Sequence, residues 1–301
     1  MSMVVVSTVS NMSEYDRSVD GIRYPWATTD EILEAMKTFE VREDDVWLIS
    51  YRKSGTTWAT EIITVLSCGC DFTKRDETNP LEHTCFLDLL KPNMTEFAHV
   101  TATKKPSPRI IMGTHFQSRH MPRELITKKP KIVYVARNPK DVAVSLYYFH
   151  KSNKLLKTFK TWNECFQAFY DGDLVGGSWF DMNLYWWNRR NDDNVLFVKY
   201  EDMKEDLPSA IVKISEFLGW PVPEGKLEEV VKHCSFGSMK NNKKQHWYTE
   251  SGLFDSSMSP FMRKGLVGDW KNYFTVSQNE AFDKLYEEKM KGSGLKFRYK
   301  L

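Results

Sequence analysis

Residues 51–58 read YRKSGTTW and follow a short apolar run of the kind that forms a buried strand. Lys53 supplies a full positive charge, and Gly55 lets the backbone come close to a bound group. The hydroxyl side chains belong to Ser54, Thr56 and Thr57. Amide groups at the start of a helix point at an anion, so a turn of this composition predicts a phosphate or sulfate cradle. An ordinary polar turn is an equally good interpretation of this segment alone.

Two further segments combine cations with phosphate-binding geometry. Residues 137–145 read RNPKDVAVS, so that Arg137 ends a predicted strand and Ser145 follows two helical turns later. Residues 261–271 read FMRKGLVGDWK and place two adjacent cations directly before a glycine. A guanidinium fork, a hydroxyl and backbone N–H groups can all hold a phosphate. Each of these segments, taken alone, is also compatible with a solvated turn or a helix start.

The elements that must position these segments alternate along the chain. Apolar runs predict strands at 46–50, 109–113, 131–136 and 194–199. Helical spacing predicts helices at 57–68, from 138 onward, and at 161–171, 179–190, 207–218, 226–234 and 277–291. Continuous apolar strands separated by helices indicate a parallel sheet that is covered on both faces. We therefore expect a single α/β domain with a central parallel sheet flanked by helices.

Composition limits the classes of function. The 301 residues are 41% hydrophobic and carry a formal net charge of +2. A charge this small predicts no nucleic-acid partner, since no global field would attract one. The sequence contains no stretch of about 20 apolar residues, so we expect no membrane span. Five irregularly spaced cysteines favour reduced thiols and a cytoplasmic location over a disulfide framework or a zinc site.

Residues 1–20 contain no basic start followed by a long apolar run, so they do not resemble a signal peptide. We expect them to form a flexible tail. The domain itself is predicted to occupy residues 21–301.

Taken together and in this order, the three anion-binding segments resemble the signatures of the cytosolic sulfotransferases, which read close to YPKSGTTW, RNPKDVAVS and FMRKGxxGDWK. The resemblance covers about residue 21 to the end of the chain. It includes GSWFD at 177–181, YEDMKED at 200–206, and SF at 235–236 with Met239. It implies a fold similar to that of P-loop kinases. It also implies transfer of a sulfuryl group from 3′-phosphoadenosine 5′-phosphosulfate (PAPS) to a small hydroxyl or amine acceptor, without a metal, leaving adenosine 3′,5′-bisphosphate (PAP).

The resemblance implies a role in PAPS binding for each segment. Lys53, Ser54, Gly55, Thr56, Thr57 and Trp58 would hold the 5′-phosphosulfate, and Lys53 would also assist departure of the phosphate. Arg137, Ser145, Arg263, Lys264 and Gly265 would hold the 3′-phosphate. Trp58 and Phe236 would enclose the adenine, with Tyr200 at its edge. The remaining expected nucleotide-binding residues are Cys234, Ser235, Met239, Phe261 and Met262.

The same resemblance implies that His115, in GTHF at 113–116, is the catalytic base. An imidazole can take the proton of a phenol or alcohol near neutral pH. The chain departs from the family pattern at two nearby positions: Gly113 replaces the usual lysine, and Arg52 replaces the usual proline. Gly113 leaves open a PAPS- or PAP-binding protein with weak turnover. A small-molecule kinase is a further alternative, although the chain lacks the Walker A spacing.

The acceptor and the oligomeric state are also implied. Phe86, Phe149 and Trp247 fall in the segments 80–91, 146–155 and 242–258, where the resemblance is weakest. Aromatic side chains there favour a phenolic or steroid-like acceptor. Residues 271–280 read KNYFTVSQNE and match the short dimer motif of the family, which implies a homodimer.

Overall fold

The computed structural model describes residues 16–77, 83–88, 96–242 and 252–301. Its centre is a five-stranded sheet in the order β4-β5-β3-β6-β7, and every ladder in it is parallel. A separate antiparallel hairpin is formed by β1 and β2. The strands are β1 (Asp16–Val19), β2 (Ile22–Pro25), β3 (Val46–Ser50), β4 (Thr84–Cys85), β5 (Ile110–Thr114), β6 (Lys131–Ala136) and β7 (Val195–Lys199).

Helices pack on both faces of this sheet. They are α1 (Asp30–Lys37), α2 (Thr56–Ser67), α3 (Phe72–Asp76), α4 (Ala98–Thr103), α5 (Glu124–Thr127), α6 (Pro139–Ser152), α7 (Trp162–Tyr170), α8 (Trp179–Trp187), α9 (Tyr200–Glu205), α10 (Leu207–Leu218), α11 (Leu227–His233), α12 (Phe236–Asn241) and α13 (Val276–Met290). Alternate residues of β3 enter different cores: Trp47 and Ile49 join one apolar cluster, and Val46 and Leu48 join the other. Burial on both faces explains why this strand is continuously apolar.

The topology brings the chemistry-bearing segments to one edge of the sheet. β3 lies at the centre, with β5 on one side and β6 on the other. Because all of these strands run in parallel, the segments that follow them emerge at the same carboxyl edge. This is where ligands bind in open parallel sheets, at the point where the strand order reverses.

The predicted fold class is confirmed. The strands and helices that were predicted lie within one or two residues of their expected bounds, except that α8 ends at Trp187 instead of residue 190. Strand β4 and the β1–β2 hairpin were not predicted. The hairpin includes residues 16–19, which the sequence placed in the flexible tail. Its turn is Asp20-Gly21, with φ of 51° and 74°. Asp-Gly suits a two-residue hairpin turn, so a usable signal was present and was missed.

Candidate active site

A cavity of about 410 Å³ lies at the carboxyl edge of the sheet. Most of the predicted site residues line it, although they come from segments more than 200 positions apart. These are Lys53, Gly55, Thr56, Thr57, Trp58, Phe86, His115, Arg137, Ser145, Phe149, Tyr200, Phe236, Met239, Phe261, Met262, Arg263, Lys264 and Gly265. The fold therefore brings the three anion-type segments and the predicted base into one space.

Three of the predicted residues that the structure describes do not line the cavity. Ser54 is fully buried, and its Oγ has no hydrogen-bond partner. The Cys234 side chain is buried in an apolar cluster, so that only its carbonyl contributes, by accepting from the Trp58 indole Nε1 at 2.7 Å. Ser235 caps α12 by accepting from the Ser238 amide. Trp247 lies outside the described residues.

The turn between β3 and α2 has the backbone of an anion cradle. Lys53 and Gly55 both adopt positive φ, at 66° and 109°. Gly55 precedes α2 without a side-chain acceptor for the first-turn amides. A Cβ at position 55 would lie 2.8 Å from Tyr200 Cδ2, so the close approach requires glycine. The first-turn N–H groups and the hydroxyls of Thr56 and Thr57 can therefore serve an anion in the cavity.

Lys53 extends its ammonium group between two aromatic rings. Its Nζ lies 4.3 Å from the ring centre of Phe149 and 4.4 Å from that of Phe261. Burial, followed by the charges of Arg137 and Arg263, lowers the Lys53 pKa to about 7. The ring faces partly offset the loss of water around the ammonium group. Among the residues that the structure describes, no carboxylate pairs with Lys53, and its amine lies between these two rings.

The second and third segments meet through Asp141, in the first turn of α6. Its carboxylate accepts from the backbone N–H groups of Gly268 at 2.8 Å and Trp270 at 3.0 Å. Arg137, just before α6, donates to the Leu266 carbonyl at 2.9 Å, while its Nε has no partner. These bonds fix the 261–271 loop against the start of α6. They gather the cations that were predicted to hold a 3′-phosphate.

Asp269 holds the two loop cations in place. Arg263 Nη2 lies 2.6 Å from Asp269 Oδ2, and Lys264 Nζ lies 2.7 Å from Asp269 Oδ1. Asp269 is buried, whereas the side chains of Arg263 and Lys264 are 17% and 41% exposed. The buried Asp269 carboxylate therefore positions both cations, which remain accessible from the cavity.

The expected adenine-binding residues also come together. Trp58 packs edge-on against Tyr200, with ring centres 5.4 Å apart. The Phe236 ring lies directly on Gly265, where an added Cβ would be 2.4 Å from Phe236 Cδ2. Gly265 also has a φ of +64°. The loop that carries the cations thus determines where the Phe236 ring lies.

Replacing Gly265 with alanine should weaken nucleotide binding. The new Cβ would displace the Phe236 ring and strain the positive-φ backbone, so we expect the Kd for PAP to rise by about tenfold or more. Gly292→Ala is the matched control, because Gly292 has a φ of +76° and open space around the position of a Cβ. Calorimetric titration of PAP into both variants checks this. Equal Kd values would show that the Phe236 contact has no role in binding.

His115 is held in one orientation. Its Nδ1 lies 2.7 Å from the Ser50 carbonyl oxygen, and its backbone N–H donates to Asp88 Oδ2 at 2.7 Å. Because a carbonyl can only accept, Nδ1 carries the hydrogen and Nε2 keeps its lone pair. Burial, followed by the charge of Arg52, lowers the His115 pKa to about 3. The imidazole is therefore neutral in the physiological pH range, with a free lone pair on Nε2.

Sequence reasoning missed two functional neighbours of His115. Arg52 lines the cavity and is 6% exposed, but in the sequence it was noted only as the residue that replaces the usual proline. Asp88 is buried, and burial raises its pKa to about 7. The replacement of a small rigid residue by Arg52 in the cradle was a usable signal. Asp88 gave no signal, because its segment has little pattern and reaches His115 only through the fold.

Comparison with known proteins identifies the family. The sulfotransferase domain family matches residues 43–294. The chain belongs to the sulfotransferase family. It is 40% identical over 272 residues to Sulfotransferase 1A1 of Canis lupus familiaris, which covers 90% of this chain and 92% of that protein. It is 38% identical over 282 residues to Sulfotransferase 1C2 of Rattus norvegicus, covering 93% and 94%. The predicted family is confirmed.

Solved structures agree with the family assignment. The structure of mouse sulfotransferase SULT7A1 complexed with PAP has a TM-score of 0.77 and 33% identity, covering 93% of this chain and 95% of that chain. Retinol dehydratase in complex with androsterone and the inactive cofactor PAP has a TM-score of 0.81 and 25% identity, covering 89% and 86%. Both likenesses extend over the whole α/β domain.

Within the described ranges, no helix combines the length and apolar character needed to cross a membrane. The same part of the chain contains no cluster of three or more histidine, cysteine, aspartate or glutamate side chains arranged to hold a metal ion.

Proposed function

We propose that this chain transfers the sulfuryl group of PAPS to the hydroxyl or amine of a small aromatic or steroid-like acceptor, with His115 as general base. The family match makes the chain a PAPS-dependent sulfotransferase. The observation that carries the finer proposal is that one cavity holds all of these groups. A neutral, oriented imidazole, Lys53 and the cations of the second and third segments line it together.

The residues present fit PAPS. The cradle at residues 53–58 would take the 5′-phosphosulfate, since its glycine, amides and lysine are arranged for an anion. Arg137, with an unpartnered Nε, and the two exposed cations on Asp269 would take the 3′-phosphate. Trp58, Phe236 and Tyr200 would receive the adenine. When bound, PAPS supplies the activated sulfuryl group. Four cations in a partly dry cleft roughly balance the nucleotide charge.

His115 and Lys53 would carry the proton and charge changes of the transfer. His115 Nε2 accepts the proton of the acceptor hydroxyl, and the imidazolium that forms keeps its Nδ1–H bond to the Ser50 carbonyl. Lys53 stabilises the negative charge that builds on the departing phosphate oxygen. Positioning and charge neutralisation supply most of the acceleration in the related transfer of phosphoryl groups.

The part of the cavity near His115 supports an apolar acceptor. Phe86 packs edge-on to the His115 ring, with ring centres 6.3 Å apart. Phe149 and Phe254 pack together at 5.5 Å. Leu155 and Leu156 complete this wall. A flat aromatic or steroid-like body would bury its surface against these side chains.

An assay of phenols, steroids, amines and bile alcohols with labelled PAPS tests the acceptor. The same assay with ATP and magnesium in place of PAPS separates sulfuryl transfer from the kinase alternative.

Gly113 supports the alternative of weak turnover. The pairing of β3 with β5 moves from Trp47–Ile111 to Ile49–Thr114, so that the ladder skips one residue in the 112–113 region of β5. An irregularity of this kind redirects the end of a strand and suits glycine. The register shift lies in this part of β5, and the chain has no lysine at position 113. Single-turnover rates with labelled PAPS measure how much activity remains.

PAP should raise the melting temperature clearly more than AMP does. PAP carries a 3′-phosphate for Arg137, Arg263 and Ser145, whereas AMP lacks this group. Bound ligand stabilises the folded protein in proportion to the logarithm of ligand concentration over Kd. Thermal unfolding with equal concentrations of the two nucleotides checks the site. Equal shifts would contradict the assignment of the 3′-phosphate residues.

We also propose a weak homodimer through residues 271–280. Val276, at the start of α13, is 75% exposed, which is unusual for an aliphatic side chain and suits a small contact between two copies. Light scattering over a concentration series should show a dimer that Val276→Glu converts to a monomer. Ile126→Glu is the control, because Ile126 is 46% exposed but lies in α5. A wild-type monomer at every concentration would refute the dimer.

The cytoplasmic location stays a prediction from the sequence.

A further inference from the structure

The Arg52 guanidinium is a buried cation without a partner. The residue is 6% exposed, and its Nε forms no hydrogen bond. Among the described residues, no hydrogen bond or ion pair joins any of its nitrogens to the protein. Burying an unpaired charge is strongly unfavourable. A buried guanidinium is therefore expected where a ligand or water supplies its hydrogen-bond partners. Arg52 lines the same cavity as His115 and Phe86.

The charge of Arg52 acts on His115, whereas it is not among the charges that act on Lys53. The Arg52 charge contributes to lowering the pKa of His115, next in importance to burial. The charges that lower the Lys53 pKa, after burial, are instead those of Arg137 and Arg263. Arg52 and His115 therefore line the same cavity, in which the reacting hydroxyl must approach the base.

Asp88 balances the charge of Arg52 only in part, although each charge acts on the pKa of the other group. No ion pair joins the two side chains, and Asp88 Oδ2 is taken by the His115 backbone N–H. Asp88 Oδ1 has no partner. Burial raises the Asp88 pKa to about 7, so that this carboxyl is only partly ionised at neutral pH. The pair leaves a net positive charge beside His115.

Building on the proposed function, we propose that Arg52 binds a carboxylate of the acceptor, so that this enzyme prefers hydroxyl compounds that carry an acid group. The planar guanidinium fork matches the two oxygens of a carboxylate. A neutral acceptor would cover the guanidinium and leave it unpaired, which weakens the complex. The apolar wall would hold the body of the acceptor, and Arg52 would fix the end that carries the acid.

Three phenolic acids of increasing length, each compared with its methyl ester, test this proposal at pH 7.5. They are 4-hydroxybenzoate, 4-hydroxyphenylacetate and 3-(4-hydroxyphenyl)propionate. For at least one pair, the wild-type kcat/KM for the acid should exceed that for the ester by about tenfold or more. Arg52→Met, which keeps an unbranched side chain and removes the charge, should bring this ratio to about one or below. Arg52→Lys should give an intermediate ratio, since it keeps the charge but loses the fork.

Arg119→Met is the matched control, because Arg119 is exposed and does not line this cavity. It should keep the wild-type ratio. A wild-type ratio of one or below in all three pairs would overturn the inference, and so would a ratio that Arg52→Met leaves unchanged. If Arg52→Met does not fold, the wild-type and Arg52→Lys ratios decide.

Turnover of the esters separates this inference from the proposed function. Sulfation of esters without an acid preference supports the proposed function and overturns the role of Arg52. If neither compound is sulfated, calorimetry of acid and ester binding to the enzyme–PAP complex still tests Arg52. Tighter binding of the acid that disappears in Arg52→Met supports the inference, although the proposed function fails. Equal binding of acid and ester overturns it.

Discussion

His115→Ala should abolish nearly all sulfuryl transfer while leaving PAP binding intact. Loss of a general base typically lowers the rate by about 10²–10⁴-fold. PAP binding should not change, because His115 faces the acceptor and its bonds run to Ser50 and Asp88. Single-turnover kinetics with labelled PAPS, together with calorimetric titration of PAP, measures both effects.

Two further variants make this prediction specific. His115→Asn keeps an amide donor toward the Ser50 carbonyl but has no ring nitrogen for the acceptor, so it should be as slow as His115→Ala. His99→Ala is the control, since His99 lies in α4 and stacks on Phe97 outside the cavity. A fast His115→Asn variant would show that His115 acts by orientation and not as a base.

Lys53→Met should lower kcat by about 10²–10³-fold, the typical effect of removing one preorganised group that stabilises charge in the transition state. The side chain lies between Phe149 and Phe261, and methionine is unbranched and apolar enough to occupy the same space. The fold should therefore survive. A kcat within about threefold of wild type would exclude Lys53 from charge stabilisation.

Lys53 should also make nucleotide binding depend on pH. In the free protein its pKa is about 7, so the amine is largely neutral at pH 8. A bound phosphate raises that pKa, and binding at pH 8 must then take up a proton. The affinity for PAP should fall as pH rises above 7, until the pKa of the bound form is reached. Titrations from pH 7.5 to 9, in buffers of different ionisation enthalpy, measure the uptake. Lys53→Arg stays charged and should bind PAP with little dependence on pH.

The sequence by itself determined the local parts of this protein. Apolar runs identified the long strands, because burial on both faces leaves them few polar positions. Asn138-Pro139 marked the start of α6, since the Asn138 side chain caps it and proline suits its first turn. The turn at residues 53–58 could also be recognised as a candidate anion cradle, because its glycine, lysine and hydroxyl residues lie within six consecutive positions. Strand β4 has only two residues and was too short to produce a pattern.

Only the tertiary structure decided which groups meet. Asp141 holds the 261–271 loop through bonds that span 127 and 129 positions, and no local pattern predicts that contact. The His115 tautomer depends on a carbonyl 65 positions away. Cys234 was expected at the nucleotide, but its side chain is buried in an apolar cluster. Arg52 became a candidate recognition residue because the fold buries it beside His115 without a partner. Burial and charge depend on the whole surroundings of a side chain, and those surroundings exist only after folding.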